Sequence, residues 1–435
     1  MPLTAAEAAK PPTGKVVVWS WNIAAKALKD LIPSFEKRYP GVHVTVDMTG
    51  AKMQTRFMLS LAADVGAPEI SQLQLSDAPH YMATGKLADL TAVAAQYSND
   101  FPASRWEDCE VNGHVFAIPW DLGPCAVFYK RDLFKKYGID PSSIHTWADY
   151  IQAGKVILQK SGGQTKMLPL GMMDLSTMFK LLLQQTKGQV FDTQGRVAVD
   201  SPQAQQALDI IRELRSAGIC SDIAAYSPEW EAGFLDNSIA SYPGAVWLGG
   251  LIKDAEKKYP GPKPKWGVFE LPAVQRGGLH VANLGGSVLV IPAQCRQKAA
   301  AWAFVKYALC TEHGQLEQYQ KESLYPSFIP ALKSHVMDKP DSFFGGQPVG
   351  RLFATNATKI WGLHLTTNWS EAWDYIQQDL SHWAATGMPH HHLLRSLAIS
   401  LYQRLQVPLS PSLQSAHSQV TQMAATKYMP ETRLR

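Results

Sequence analysis

The segment FAIPWDLGPCAVFYKRDLF, residues 116–134, decides how the fold is interpreted. It places Trp120 and Asp121 beside two residues that break regular structure, Gly123 and Pro124, and then resumes at once with an apolar strand and a helix. A buried strand would rarely contain Gly123 and Pro124 at its centre, and a flexible linker would rarely be flanked by apolar strand and helix segments. Our hypothesis is that two lobes meet at this point and that the gap between them holds a ligand.

Length and composition agree with two lobes. The chain has 435 residues, more than usually fold around a single hydrophobic core, so two domains are expected. Apolar residues make up 46% and charged residues 18%, which is ordinary for a soluble globular protein. The net charge of +4 is small and no basic cluster is evident in the sequence, so no nucleic-acid partner is expected.

The cysteine pattern gives no support for a metal or redox site. None of the five cysteines forms a C-x-x-C pair, and buried free thiols are expected, although the spacings leave one disulfide open. They are Cys109, Cys125, Cys220, Cys295 and Cys310. The three-histidine tract 390–392 is interpreted as a solvated helix entry rather than a metal site. No metal and no cofactor is predicted.

The two ends of the chain are expected to be loosely ordered. Residues 1–14 lack the apolar core of a signal peptide and are typical of the start of a mature exported protein. We expect that an export signal preceded this start and that Met1 replaces it, which predicts a periplasmic or extracellular location. The tail 407–435 is rich in Ser, Gln and Pro. No stretch is long and apolar enough for a transmembrane helix.

The first part of the chain alternates apolar strands with helices. KVVVWSWN predicts a strand over Val16–Ser20, and a helix follows that Pro33 would delay or kink. Such alternation is the pattern of a parallel sheet with helices on its faces. Ligands of these sheets bind beyond the carboxyl ends of the strands, which are residues 19–22, 50–54 and 74–77.

Later segments carry sharper local signals. Asn112-Gly113 between apolar flanks predicts a two-residue hairpin. Thr146, with Asp149 three residues later, predicts a capped helix start. In LGGSVLVIPAQC, residues 284–295, two glycines precede an apolar run that predicts a strand. SLYPSFIPAL, residues 323–332, predicts a further extended crossing.

Two of these segments carry a family resemblance. The opening segment, extended through GI and TWADY, and the segment LGGSVLVIPAQCRQKAAAWAFVK resemble the signatures of the family 1 extracellular solute-binding proteins of ABC importers, the maltose-binding-protein-like group. FEKRYPGVHV is similar to the usual end of that family's first helix, and the resemblance spans residues 15–406. Pro68-Glu69 stands where the family usually has Pro-Asp. The resemblance implies the α/β two-lobed periplasmic binding protein fold, type II-like, with a hinge and a ligand cleft.

The resemblance also implies where the lobes divide. The N-terminal lobe would comprise residues 15–122 with 287–325, and the C-terminal lobe 126–283 with 327–406. The chain would cross between the lobes near residues 122–126, 283–286 and 324–327. Gly123 and Pro124 would then mark the hinge, because hinges are element-terminal positions that absorb the backbone rotation.

Candidate ligand-binding residues follow from sugar chemistry. Sugars present flat C–H faces that aromatic rings cover, and hydroxyl edges that carboxylates, amides and charged donors pair with. The candidates are Trp19, Trp21, Asn22, Lys52, Gln54, Asp77, Trp120, Asp121, Trp230, Trp247, Asn283, Tyr325, Trp361 and Trp369. The alternatives are that Trp120 packs in the hinge, that Asp121 bonds local amides and that Asp77 caps the next helix. Replacing Trp120 or Asp121 by Ala is expected to weaken binding at least tenfold without unfolding the protein.

The function predicted from the sequence is that of a monomeric binding protein without catalytic residues. It would capture a carbohydrate by lobe closure and deliver it to the membrane permease of an ABC importer. A neutral sugar is favoured over a sugar phosphate, because the sequence shows no basic cluster. The alternatives are a polyamine, metal-chelate or oxyanion ligand in the same fold, and a glycosidase, which would need two facing carboxylates.

Overall fold

The computed structural model describes residues 2–50, 53–259, 261 and 263–414, without the side chain of His390. Within these ranges the α-helices are α1 Ala5–Ala8, α2 Asn22–Arg38, α3 Met53–Ala62, α4 Ala78–Ala83, α5 Thr91–Ala94, α6 Ala103–Glu107, α7 Arg131–Tyr137, α8 Trp147–Lys160, α9 Leu175–Gln185, α10 Pro202–Ser216, α11 Pro228–Ala232, α12 Leu248–Lys258, α13 Lys298–Leu309, α14 Glu312–Glu322, α15 Ile329–Leu332, α16 Val349–Ala357, α17 Trp369–Thr386 and α18 His390–Leu405. The strands are β1 Gly14–Ser20, β2 Val42–Met48, β3 Ile70–Gln74, β4 Glu110–Val111, β5 His114–Val115, β6 Ala117–Pro119, β7 Cys125–Lys130, β8 Leu168–Pro169, β9 Cys220–Ser221, β10 Ser241–Ala245, β11 Trp266–Glu270 and β12 Ser287–Val290.

The first lobe is built on a five-stranded sheet in the order β2-β1-β3-β12-β6. Strands β1, β2 and β3 run parallel, with Val16 opposite Val44 and Val18 opposite Ile70. Strand β12 comes from far along the chain and lies antiparallel between β3 and β6. The parallel part confirms the strand–helix alternation predicted from the sequence, and it places the ends of β1, β2 and β3 at one edge.

Helices cover both faces of this sheet. Val16 and Val18 on one face pack with residues of α2 and α13 in one apolar cluster. Trp19 and Leu73 on the other face pack with α3 in a second cluster. Because both faces are buried, β1 reads as a continuous apolar run rather than as an alternating one. Pro33 lies inside α2 and does not end it.

The second lobe is built on a three-stranded antiparallel sheet in the order β10-β7-β11. Cys125, Val127 and Tyr129 of the central strand face a cluster formed with α8, α9, α10, α17 and α18. Ala126 and Phe128 face the opposite cluster, which includes residues of α12 and α16. The alternation of β7 between two cores explains why all six of its residues are buried.

Three crossings of the chain pair side by side between the two sheets. Asp121 forms an isolated bridge with Pro326, and Pro124 forms one with Asn283. The Leu122 amide donates to the Tyr325 carbonyl at 3.0 Å, and the Leu284 amide donates to the Gly123 carbonyl at 2.9 Å. These crossings lie in the three segments where the resemblance places them, while the lobe boundaries themselves stay a prediction.

Local signals in the sequence are matched closely by the structure. Asn112 and Gly113 both have positive φ, 53° and 78°, and join β4 to β5 as the hairpin turn requires. Thr146 and Asp149 form a reciprocal capping box at the start of α8. Segment 323–332 is only partly extended, because residues Ile329–Leu332 form the short helix α15 after Phe328.

The described parts of both termini are packed, which corrects the expectation of loose ends. Leu3 is 1% exposed, and the helix α1 has a capping box between Thr4 and Glu7. Near the other end, Leu409 bridges to Val197 and is 5% exposed. The rest of the tail, residues 415–435, lies outside the described residues.

The five thiols are free, and four of them are buried, which confirms the thiol prediction. None of the helices in the described ranges is both long and apolar enough to cross a membrane.

Candidate functional site

A cleft of three adjoining cavities lies at the carboxyl edge of the first sheet. Gln74, the last residue of β3, lines all three cavities, which is why we treat them as one site. The first cavity, of about 490 Å³, lies along the first lobe. The second, of about 440 Å³, lies against the second lobe. A narrow junction of about 70 Å³ lies beside the hinge glycines Gly285 and Gly286.

A buried hydrogen-bond network holds this edge in place. The Ser20 hydroxyl donates to Gln72 Oε1 at 2.6 Å, and the Trp21 amide donates to the same oxygen at 3.2 Å. Gln72 Nε2 donates to the Ser287 hydroxyl at 2.9 Å. The end of β1 is therefore tied to the start of β12, with the polar side chains that follow β1 and β3 facing the cleft.

The wall on the first lobe is polar. Trp21, Asn22, Gln54 and Asp77 line its cavity. The Gln54 amide donates to Asp77 Oδ2 at 2.7 Å. The Ser370 hydroxyl, at the start of α17 in the second lobe, donates to Asp77 Oδ1. Asp77 therefore does not cap α4 with its side chain; it joins the two lobes across the cleft.

The wall on the second lobe is aromatic and consists of Tyr226, Trp230 and Trp247. The rings of Tyr226 and Trp247 are stacked, with centroids 6.3 Å apart, and their exposed fractions are 68% and 38%. Trp230 lies beneath them at 7% exposure and packs against Phe234. Trp247 is fixed to the hinge because its indole N–H donates to the Leu284 carbonyl at 3.2 Å. We call these three residues the aromatic wall.

The junction is lined by two cations and by Trp369, whose ring stacks on Trp373. Trp369 and Trp373, one turn apart on α17, stack at 5.5 Å, and the ammonium of Lys180 lies 4.6 Å from the Trp373 centroid. Arg105 lines the same cavity as Lys180. Burial, with the nearby Arg105 guanidinium, lowers the pKa of Lys180 to about 8, while Asp77 acts in the opposite direction.

Two further predicted residues lie at the margins of the cleft. Asn283 lines the junction, but both polar atoms of its side chain are bonded. Oδ1 accepts from the Gly123 backbone amide at 2.9 Å, and Nδ2 donates to the Gly285 backbone carbonyl at 2.7 Å. Its side chain therefore holds the hinge. Trp361 lines a separate cavity of about 370 Å³, between α6 and residues 189–195.

Trp19 and Trp120 are not positioned for ligand contact, which corrects the sequence prediction. Trp19 is 3% exposed, packs against Phe57 and lies under the guanidinium of Arg56. Trp120 is 1% exposed in the first-lobe core, where its indole N–H donates to Gln318 Oε1 at 2.6 Å. Both rings serve packing because the sheet buries the residues at these positions.

Asp121 and Tyr325 are also structural. The Asp121 carboxylate accepts from the Ser287 amide at 2.8 Å, which is the alternative of local amide bonding. Burial raises the pKa of Asp121 to about 6. Tyr325 is 2% exposed and its hydroxyl donates to the Gly350 carbonyl at 2.8 Å. Lys52, the remaining candidate, lies outside the described residues.

The position of Trp120 changes the mutational expectation. Trp120→Ala should lower the free energy of unfolding by about 3–5 kcal/mol, because it empties a large core site and leaves Gln318 Oε1 without its donor. Denaturant-induced unfolding measures this loss. Trp120→Phe keeps a six-membered ring in the core but also removes the indole donor, so it should lose less stability than Trp120→Ala. A normal melting curve for Trp120→Ala combined with lost ligand affinity would contradict the structural assignment.

Sequence reasoning missed Gln74, Lys180, Trp373, Tyr226 and Arg105. Gln74 lay within the strand end 74–77 but was not selected. Lys180 left a signal, since it is the one charge within the otherwise apolar run from Met178 to Leu183. Trp373 recurs four residues after Trp369, which places both on one helix face. For Tyr226 and Arg105 the sequence carries no comparable signal.

Among the described residues, no group of three or more His, Cys, Asp or Glu side chains is placed to hold a metal ion. The tract 390–392 begins α18, as the helix-entry interpretation requires. Asp174, the acid nearest the aromatic wall, accepts a hydrogen bond from the Ala225 amide at 2.9 Å.

Comparison with known proteins agrees with this architecture. The chain is 26% identical over 312 residues to the arabinooligosaccharide-binding protein of Bacillus subtilis (strain 168), covering 69% of this chain and 70% of that protein. It is 24% identical over 356 residues to the lactose-binding protein of Rhizobium radiobacter, covering 78% and 81%. The fold matches the sugar-binding protein MalE from Xanthomonas citri with a TM-score of 0.78 at 18% identity, covering 90% and 97%.

The family assignment rests on most of the chain. Residues 19–313 match the family described as bacterial extracellular solute-binding protein, a range that includes both segments that carried the resemblance. This range contains strands β2, β3, β6 and β12 of the first sheet, the crossings near residues 122–126 and 283–286, and the aromatic wall. The chain therefore belongs to the bacterial extracellular solute-binding proteins, and its fold is the two-lobed one of that family.

Proposed function

We propose that this protein captures a carbohydrate in the cleft by lobe closure and delivers it to the permease of an ABC importer. The observation that carries the proposal is the pairing of two unlike walls: the aromatic wall on one lobe faces the polar edge formed by Gln74, Gln54 and Asp77 on the other. Aromatic rings cover the C–H faces of a sugar, and amides and carboxylates bond its hydroxyls. The names of the relatives from B. subtilis and R. radiobacter support the same ligand class.

Other features of the proposal follow from the same cleft. The protein acts as a monomer in the periplasm or outside the cell, with lobes of residues 15–122 plus 287–325 and 126–283 plus 327–406. It is a binding protein rather than a glycosidase. The cleft carboxylates support this, because Asp77 is bonded to Gln54 and Ser370, and Asp174 to a backbone amide, whereas glycoside hydrolysis needs an acid and a facing base or nucleophile.

A ligand screen tests this proposal. Thermal shift against di- and trisaccharides, polyamines and oxyanions, with calorimetry on each hit, should give a raised Tm with carbohydrates, because a ligand of the native state stabilises it by mass action. Incubation of the bound sugar followed by chromatography should return it unchanged. A shift with polyamines or inorganic anions and none with any carbohydrate would overturn the proposal.

The hydrogen bond between Ser370 and Asp77 should favour the closed arrangement of the lobes. Ser370 does not line any of the three cavities, so Ser370→Ala leaves the walls intact and removes one bond between the lobes. We expect carbohydrate affinity to fall by roughly two- to tenfold, or about 0.5–1.5 kcal/mol, measured by calorimetry. Ser216→Ala, at an exposed helix end, is the control. Equal affinity for Ser370→Ala and the unmodified protein would mean that the bond contributes nothing to closure.

A further inference from the structure

We propose that the carbohydrate bound by this cleft carries an anionic group, and that this group lies in the junction between Lys180 and Arg105. The proposal rests on the carbohydrate function proposed above and makes it more specific. It reverses the expectation of a neutral sugar, which depended on the lack of a basic cluster in the sequence. The two cations are 75 positions apart in the chain (180 − 105), so only the fold brings them together.

Lys180 presents a charge that the protein does not neutralise by contact. No carboxylate lies within ion-pair distance of its ammonium among the described residues, where its neighbours are the rings of Trp369 and Trp373 at 5.5 and 4.6 Å. It lines both the junction and the cavity of the aromatic wall. A lysine in this position can reach a ligand from either cavity, since its tryptophan contacts leave the ammonium donors without acceptors.

Arg105 supplies the second cation and an unused donor. Its side chain is 8% exposed, and its Nε has no hydrogen-bond acceptor among the described residues. Its NH2 group lies 2.9 Å from Asp108 Oδ2, and burial raises the pKa of that carboxyl to about 7 although Arg105 acts to lower it. A buried donor without an acceptor is costly, so an acceptor supplied by the ligand would be favourable here.

Among the described residues, the charged side chains that line the junction have one sign. They are Arg105 and Lys180, and the rest of the lining is amide, hydroxyl, glycine and apolar. The nearby acids face the adjoining cavities and already have partners: Asp108 is paired with the NH2 group of Arg105, Asp77 is bonded to Gln54 and Ser370, and Asp174 is bonded to the Ala225 amide. An anion between the two cations would relieve their mutual repulsion in a partly dehydrated site.

The size of the junction sets the size of the group. At about 70 Å³ the junction is the smallest of the three cavities, against about 490 and 440 Å³ for the other two. A compact substituent such as a carboxylate or a phosphate suits the smallest cavity better than a whole sugar ring does. The ring would lie in the adjoining cavity of about 440 Å³, against the aromatic wall. Uronates and sugar phosphates share this chemistry, an anion attached to a pyranose or furanose ring.

Matched ligand pairs test the proposal in calorimetry with the full chain. The panel pairs galactose and glucose, and their neutral disaccharides, with the corresponding uronates and with the corresponding sugar phosphates. We expect the anionic member of at least one pair to bind at least tenfold more tightly than its neutral partner. The uronate and phosphate arms identify which anion the junction prefers. The preference should shrink as sodium chloride is raised, because the attraction is electrostatic.

Variants assign the preference to the junction. Lys180→Gln should weaken binding of the anionic ligand at least tenfold more than binding of its neutral partner, and so remove most of the preference, whereas Lys180→Arg should retain the preference. Lys155→Gln, at an exposed lysine on α8, is the matched control for loss of one charge and should behave as the unmodified protein. Thermal melts verify that each variant is folded. The salt series uses the unmodified protein, so it tests the proposal even if a variant does not fold.

Two results would overturn the proposal. If neutral sugars bind as tightly as their anionic partners, the proposed anionic group is wrong, whereas the proposed carbohydrate binding is still supported. A preference for anions that survives in Lys180→Gln would place the anion elsewhere. If no carbohydrate of either kind binds, the proposed function itself fails, and this outcome is separate from the other two.

Discussion

Replacing Trp247 by Ala is expected to weaken carbohydrate binding by about 30- to 150-fold. Trp247 is 38% exposed in the cleft, stacks on Tyr226 and is anchored to the hinge carbonyl of Leu284, so its ring is a rigid surface for a sugar face. Truncation of a central aromatic contact typically costs about 2–3 kcal/mol, which corresponds to this loss of affinity. Calorimetry with the carbohydrate that raises the Tm measures it.

The same experiment needs a control for the loss of an exposed aromatic ring. Tyr402 on α18 is 43% exposed and lines none of the three cavities, so Tyr402→Ala should bind normally. The melting curve of Trp247→Ala should stay close to that of the unmodified protein, because a partly exposed ring contributes little to the core. Unchanged affinity in Trp247→Ala would show that the sugar does not contact the aromatic wall.

Adding a methyl group at Gly123 is expected to disrupt the hinge. A Cβ built on Gly123 would lie 1.9 Å from the carbonyl oxygen of Leu284, and backbone atoms cannot move aside as a flexible side chain can. The crossings would have to separate, which breaks the bond from the Gly123 amide to Asn283 and the bond from the Leu284 amide to Gly123. Overpacking of this kind costs about 3 kcal/mol or more.

Gly123→Ala should therefore lower the Tm by several degrees and weaken carbohydrate binding, since both lobes are positioned through the hinge. Gly250→Ala is the matched control, because a Cβ at Gly250 has no atom within 4 Å and Gly250 lies inside the helix α12. Alanine is the better helix former, so this control should be neutral or slightly stabilising. A Gly123→Ala protein with normal Tm and affinity would contradict the close crossing of the chain.

The fold was predictable where the determinants are local. The apolar run of β1, the Asn112-Gly113 turn and the capping box at Thr146 each specify structure through neighbours in the sequence, and each is present. The late helix start considered for Pro33 was wrong, because α2 begins at Asn22 and continues through Pro33. The packing of Leu409 against Val197 was not predictable, because it pairs segments more than 200 positions apart.

The candidate site was predictable only along one wall. Strand ends locate Trp21, Gln54 and Asp77, because every parallel strand delivers its carboxyl end to the same edge. Trp120 was misassigned because its hydrogen-bond partner, Gln318, lies 198 positions away and fixes the ring in the core.

The junction had no comparable signal in the sequence. It depends on α9 meeting α17 and α6, which the linear sequence does not show. Side chains that define a cleft from several distant segments become visible only once the packing is known.

The measurement that tests the central claim most directly is the crystal structure of the protein saturated with the carbohydrate that stabilises it. The account predicts a sugar ring lying on Trp247 and Tyr226, hydroxyls bonded to Gln74 or to the polar edge at Gln54 and Asp77, and an acidic substituent between Lys180 and Arg105. A sugar bound outside these three cavities, with the aromatic wall exposed to solvent, would contradict it.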